Sequence, residues 1–153
     1  MIHYIKNDGG RKASGFEGKA GDCAARAIAI VTEQPYHRVY AQLAWINFIM
    51  PKTRGRTSAG IHSASNGIHI NSILFKRYMI DQNLIWTPVM NIGTGCRIHL
   101  KDNELPMGRL VVRVSKHLTA VINGVIHDTH DPSRNGTRCV YGFWKLEKQN
   151  AST

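Results

Sequence analysis

Asn123-Gly124 lies between two short apolar runs, residues 118–122 and 125–128. Asn-Gly is the pair best suited to a two-residue type I′ turn, because both central positions need positive φ. It predicts a hairpin in which residue 122 faces 125 and, stepping outward, His117 faces His130. Residues two apart along a strand share a face with each other and with their partners. His117, Thr119 and Val121 are therefore expected on one face with Ile126, Asp128 and His130. Asp128 becomes the diagonal neighbour of His117, while His127 and Asp131 point the other way.

The hairpin belongs to a C-terminal half that reads as strands: 84–89, 97–100, 110–114, 118–122, 125–128 and 139–144. Each is short, rich in β-branched or aromatic residues, and bounded by Gly, Pro or Asn. The N-terminal half is different. Residues 1–21 hold five glycines and read as an irregular arm with a short strand at 2–5. Asp22 is placed to N-cap an alanine-rich helix over 23–32. Pro35 suits the first position of a second helix over 36–48, where Tyr36, Val39, Tyr40, Leu43 and Ile46 recur at three- and four-residue spacing.

A third helix is predicted over 68–82, with Ile70, Ile73, Leu74 and Tyr78 on one face. Residues 51–67 show no periodicity and read as a flexible basic loop carrying Lys52, Arg54 and Arg56; residues 147–153 read as a disordered tail. Gly93-Thr94-Gly95-Cys96 lacks the spacing of a phosphate or dinucleotide loop and reads as a turn. Helices first and strands later predict one α+β domain over 1–153, its N-terminal helices packed on a C-terminal antiparallel sheet.

Charge and cysteine usage narrow the chemistry. Twenty Lys and Arg against ten Asp and Glu leave a formal charge of +10. Such a balance suits nucleic acid or an acidic partner, although cations spread along the chain equally suit a solvated surface. Cys23, Cys96 and Cys139 are widely spaced with no CxxC pair, so reduced thiols are expected rather than a disulfide framework or a structural zinc site. The apolar runs are too short to span a bilayer, and the first residues do not form a signal peptide. The expected address is cytoplasmic.

Cys23 opens the first helix in Gly21-Asp22-Cys23-Ala24-Ala25-Arg26-Ala27. The helix dipole favours thiolate there, and free first-turn N–H groups can receive a developing oxyanion. A cysteine nucleophile needs an imidazole to form the ion pair and a third polar group to fix the ring. His117 and Asp128 supply both on one rigid hairpin. His130 and Asp131 substitute if the register differs, and a metal held by Cys23, His117 and Asp128 or His130 is a further reading. A buried structural cysteine and a structural hairpin histidine are the plainer alternatives.

A cysteine opening an N-terminal helix, a strand beginning with His and an Asp on the next strand together resemble the papain-like cysteine peptidase superfamily. Bacteriocin-processing and NlpC-type peptidases keep that order in a compact α+β domain. The chain is also similar to small bacteriophage and prophage proteins in Asn7-Asp8-Gly9-Gly10-Arg11, Gly21-Asp22-Cys23 through Ala27 and Asn91-Ile92-Gly93-Thr94-Gly95-Cys96. That similarity continues in Gly108-Arg109-Leu110 through His117 and in Asp131-Pro132-Ser133-Arg134 through Gly142. The resemblance implies a papain-like fold with Cys23 as nucleophile, His117 as general base and acid, and Asp128 as the orienting residue. It departs from the family where a glutamine usually precedes the cysteine to complete the oxyanion hole. Glu17-Gly18-Lys19 stands there instead, which leaves Lys19, Asp22 or the backbone to support the oxyanion.

The expected function is a phage-encoded cysteine hydrolase or acyltransferase acting on a peptide, isopeptide or amide bond in the host cytoplasm. It would need no cofactor, its partner would be a host protein or peptide, and no membrane is involved. The alternative is a non-catalytic basic module that contacts nucleic acid or inhibits a host defence protein, using Lys52, Arg54 and Arg56.

Overall fold

The computed structural model describes residues 2–17, 21–50 and 60–148. Its elements run β1 (His3–Lys6), α1 (Cys23–Thr32), α2 (Tyr36–Ile49), α3 (Ile73–Asp81), β2 (Leu84–Pro88), β3 (Arg109–Val114), β4 (His117–Ile122), β5 (Val125–Asp128) and β6 (Gly142–Leu146). The class is α+β. All six strands join one sheet in the order β1-β5-β4-β3-β6-β2. The expectation of a purely antiparallel C-terminal sheet is corrected, because β1 comes from the N-terminal arm and pairs parallel with β5. Every other pairing is antiparallel.

The hairpin has the register that Asn-Gly dictates. Ile122 faces Val125 and Val121 faces Ile126, with Asn123 at φ 47° and Gly124 at φ 80°. The first helix spans its predicted residues. Pro35 is the N-cap residue of α2 rather than its first helical one. The third helix starts later than its apolar pattern, at Ile73, because the Ser72 hydroxyl accepts the Phe75 N–H at 3.2 Å and caps it there. Residues 97–100 form no strand. They contribute only the bridge between His99 and Cys139.

Each face of the sheet covers its own core. On one face, Ile28 and Val31 of α1, Val39 and Leu43 of α2 and Phe75 and Met79 of α3 pack with Val111, Ala120 and Trp144. The alanines that line α1 let it approach the sheet closely. On the other face, Leu110, Val112, Val114, Val121 and Ile126 are covered by Ile2, Leu100 and Val140, which come from the arm and from irregular segments.

A further expectation is corrected. Cys96 and Cys139 form a disulfide with Cα atoms 5.7 Å apart, so Cys23 is the free thiol. A separation of 43 residues conceals a proximity that the His99–Cys139 bridge creates. Residues 60–67 are tied to α2, while residues 51–59 of the expected basic loop lie outside the described residues. Tyr40 shares hydrogen bonds with Ser63 (3.1 Å) and Ser65 (2.8 Å), and buried Asn47 donates to the carbonyls of Ser63 (2.7 Å) and Gly67 (3.0 Å). Among the described residues no helix is long and apolar enough to cross a membrane.

Candidate active site

The site forms where the start of α1 meets the start of β4. Strand alternation puts His117 and Thr119 on the loop-covered side, with Val112 and Val121. Cys23 arrives from the helix side. The two meet because His117 is the first residue of β4, at the rim of the sheet.

His117 is held from behind by Asp128. Its Nε2 lies 2.7 Å from Asp128 Oδ2, which also accepts the Thr119 hydroxyl at 2.7 Å. Asp128 Oδ1 accepts the Thr129 N–H at 2.7 Å. The carboxylate is buried; burial opposes its charge, yet the bonds from His117 and Thr119 outweigh burial and lower its pKa. With Nε2 committed to Asp128, Nδ1 is the ring nitrogen left for the thiol.

Cys23 and His117 shift each other as an ion pair would. Burial favours the neutral thiol, but the hydrogen bond with His117, a backbone N–H from Leu118 and the charges of His117 and Arg26 bring its pKa below the ordinary value. Burial likewise favours neutral imidazole. The bonds to Asp128 and to Cys23 overcome it and raise His117 to about 9.

Asp22 occupies the N-cap position of α1 but makes no side-chain cap bond. Its buried carboxylate is drawn away by Arg26 Nη1 (2.8 Å), Arg11 Nε (2.9 Å) and the Tyr36 hydroxyl. The expected cap is corrected on that account, and the first-turn N–H groups are left without a side-chain acceptor from Asp22. Arg26 also reaches Asp128, with Nη2 3.9 Å from Oδ1. Thus Tyr36, Asp22, Arg26, Asp128 and His117 form one continuous polar chain beneath the thiol. The hairpin register points to Thr119, whereas Arg11, Arg26 and Tyr36 come from elsewhere in the chain. The one local signal was the i, i+4 spacing of Asp22 and Arg26.

The thiol opens into a cavity of about 760 Å³ lined by Cys23, Asn66, Arg113, His117, His130 and Tyr141, among others. Of the substitute residues, His130 lies beside His117 with ring centroids 5.1 Å apart and planes inclined at 48°. Asp131 instead turns to accept the Ser133 N–H at 2.9 Å. Lys19, Lys52, Arg54 and Arg56 lie outside the described residues.

Cys96, Cys139 and one ring nitrogen of His99 lie within 4.8 Å of one another, the one such metal-compatible group among the described residues. While the sulfurs are joined neither is a thiolate, and only His99 offers a strong metal ligand; reduction would make the group a Cys2His donor set. No protein-family model, curated protein or solved structure matches this chain.

Proposed function

We propose that the protein is a papain-like cysteine hydrolase or acyltransferase that cleaves or transfers a peptide, isopeptide or amide acyl group. The observation that carries this reading is the His117 ring, tied to buried Asp128 at 2.7 Å and paired through its other side with Cys23. Cys23 Sγ attacks the substrate carbonyl, and the electron pair moves to oxygen. First-turn N–H groups of α1 receive that oxyanion in place of the family's glutamine, since Asp22 leaves them without a side-chain acceptor.

Imidazolium then gives its proton to the departing amine, leaving a thioester on Cys23. His117 next takes a proton from water, or from an acceptor amine, as that group attacks the thioester. The acyl product leaves and the thiolate–imidazolium pair is restored. Asp128 keeps the ring in one tautomer and stabilises its charge through both steps.

The test is acylation by p-nitrophenyl acetate, followed by intact mass and peptide mapping. The reading predicts one acetyl group on Cys23, absent in Cys23→Ala. Acylation should slow by roughly 10²–10⁴-fold in His117→Ala, the range for losing a general acid–base group. Acetylation elsewhere, or an unchanged rate in folded His117→Ala, would reject it.

A further inference from the structure

A second cavity adjoins the nucleophile's. A cavity of about 520 Å³ is lined by Met79, Leu84, Ile85, Trp86 and Trp144, and shares Ile70 and Arg113 with the cavity at Cys23. The path between them follows the strand ladder. Leu118, whose N–H donates to the Cys23 sulfur, faces Arg113, and Arg113 faces Gly142 on β6.

Over Gly142 lies the Trp86 indole. A Cβ at that glycine would stand 2.3 Å from the ring, so the absence of a side chain is what lets the indole settle there. Trp144 supports it, with ring centroids 4.4 Å apart. Two strand spacings separate Leu118 from the Trp86 shelf, about 10 Å, which matches two to three extended residues.

Charge along this path has one sign. Neither cavity has an Asp or Glu among its described lining residues. Arg26 is already committed to Asp22. Arg113, half-buried midway, is paired with no carboxylate among the described residues, and its guanidinium rests over the Tyr141 ring at 5.6 Å. A cation in that position lacks the anion that would complete it, and the apolar shelf beyond it is exposed at Trp86 and Ile85.

We infer that the two cavities form one substrate groove, selective for an acyl group with an acidic side chain next to the scissile carbonyl and an aromatic side chain one residue further. Arg113 receives the carboxylate, and the Trp86–Trp144 shelf receives the ring. The inference rests on Cys23 being the nucleophile proposed above.

Chloromethyl ketones of Phe-Asp, Phe-Lys and Ala-Asp test it, since Sγ displaces chloride and forms a thioether whose rate reports fit. Each rate is divided by the same protein's rate with iodoacetamide, which has no side chain to read. Wild type should favour Phe-Asp over Phe-Lys by about tenfold or more, the scale of a hydrogen bond to a charged group. It should favour Phe-Asp over Ala-Asp by about tenfold, the scale of burying an aromatic ring. Arg113→Glu should reverse the first preference, and Trp86→Ala should remove the second.

If the three probes react alike while iodoacetamide labels Cys23 as an activated thiol, the groove is wrong and the nucleophile stands. If Cys23 reacts with iodoacetamide as an ordinary thiol, both are wrong. The wild-type comparison decides by itself should either variant fail to fold.

Discussion

The two faces of the sheet are held in different ways. One is roofed by three helices whose apolar stripes interdigitate with Val111, Ala120 and Trp144. Among the described residues the other has no helix over it; its cover is arm and loop, and a disulfide ties residue 96 to residue 139. A helix satisfies its own backbone and brings a whole face of side chains, whereas a loop brings few and must be fixed by bridges. The candidate site lies on the seam, taking Cys23 from the helical side and His117 and Asp128 from the other. The stability of each face and the reactivity of Cys23 are therefore expected to separate.

The helix-covered face should show the largest loss. Ile28→Ala, at a fully buried position of α1, should cost about 2–5 kcal/mol in urea unfolding through lost transfer energy and the cavity left behind. A cost near zero would mean that α1 is not the keystone of that face. On the loop-covered face, Cys139→Ser should cost about 2–4 kcal/mol, as expected for opening a loop of this length. It should nevertheless leave the alkylation rate of Cys23 intact. A parallel fall in that rate would show that the disulfide-tied cover also holds His117 in place.

Gly142→Ala should cost about 1–3 kcal/mol, because its Cβ meets the Trp86 ring. Loss of the aromatic preference at the groove would accompany it.

A smaller effect concerns pH. His117 is raised from 6.5 to about 9, so its contribution to stability is complete below pH 6.5 and disappears as pH rises through 9. Asp128 is lowered, so its contribution is present above the ordinary carboxylate range and is lost as pH falls. The destabilisation caused by Asp128→Asn should therefore be greatest near neutrality and shrink toward pH 3 and toward pH 10. Val140→Ala, which removes no titratable partner, should cost the same unfolding free energy at every pH.

What was legible in the sequence was local. The Asn-Gly turn set the register that brings Asp128 diagonal to His117, and the alanine run defined α1 to the residue. What escaped depended on distant partners. The parallel pairing of β1 needs β5, which lies over a hundred residues later, and no turn announces it. The Cys96–Cys139 bond follows from a single β-bridge. Residues 60–67 look formless because their anchors, Tyr40 and Asn47, belong to α2. Asp22 fits every rule for a cap, yet two arginines and a tyrosine outcompete the helix N-terminus for its carboxylate. That competition is what leaves the first-turn N–H groups of α1 without a side-chain acceptor from Asp22.

The central claim is that Cys23 and His117 form a thiolate–imidazolium pair held by Asp128. The rate of iodoacetamide alkylation at Cys23, followed by mass spectrometry from pH 4 to 10, tests it most directly. Such a pair gives rapid alkylation below the ordinary thiol range, a second change near pH 9 as His117 loses its proton, and a return in His117→Ala to a single rise near the ordinary thiol pKa of about 8.5. A wild-type profile with only that single rise, superimposable on His117→Ala, would contradict it.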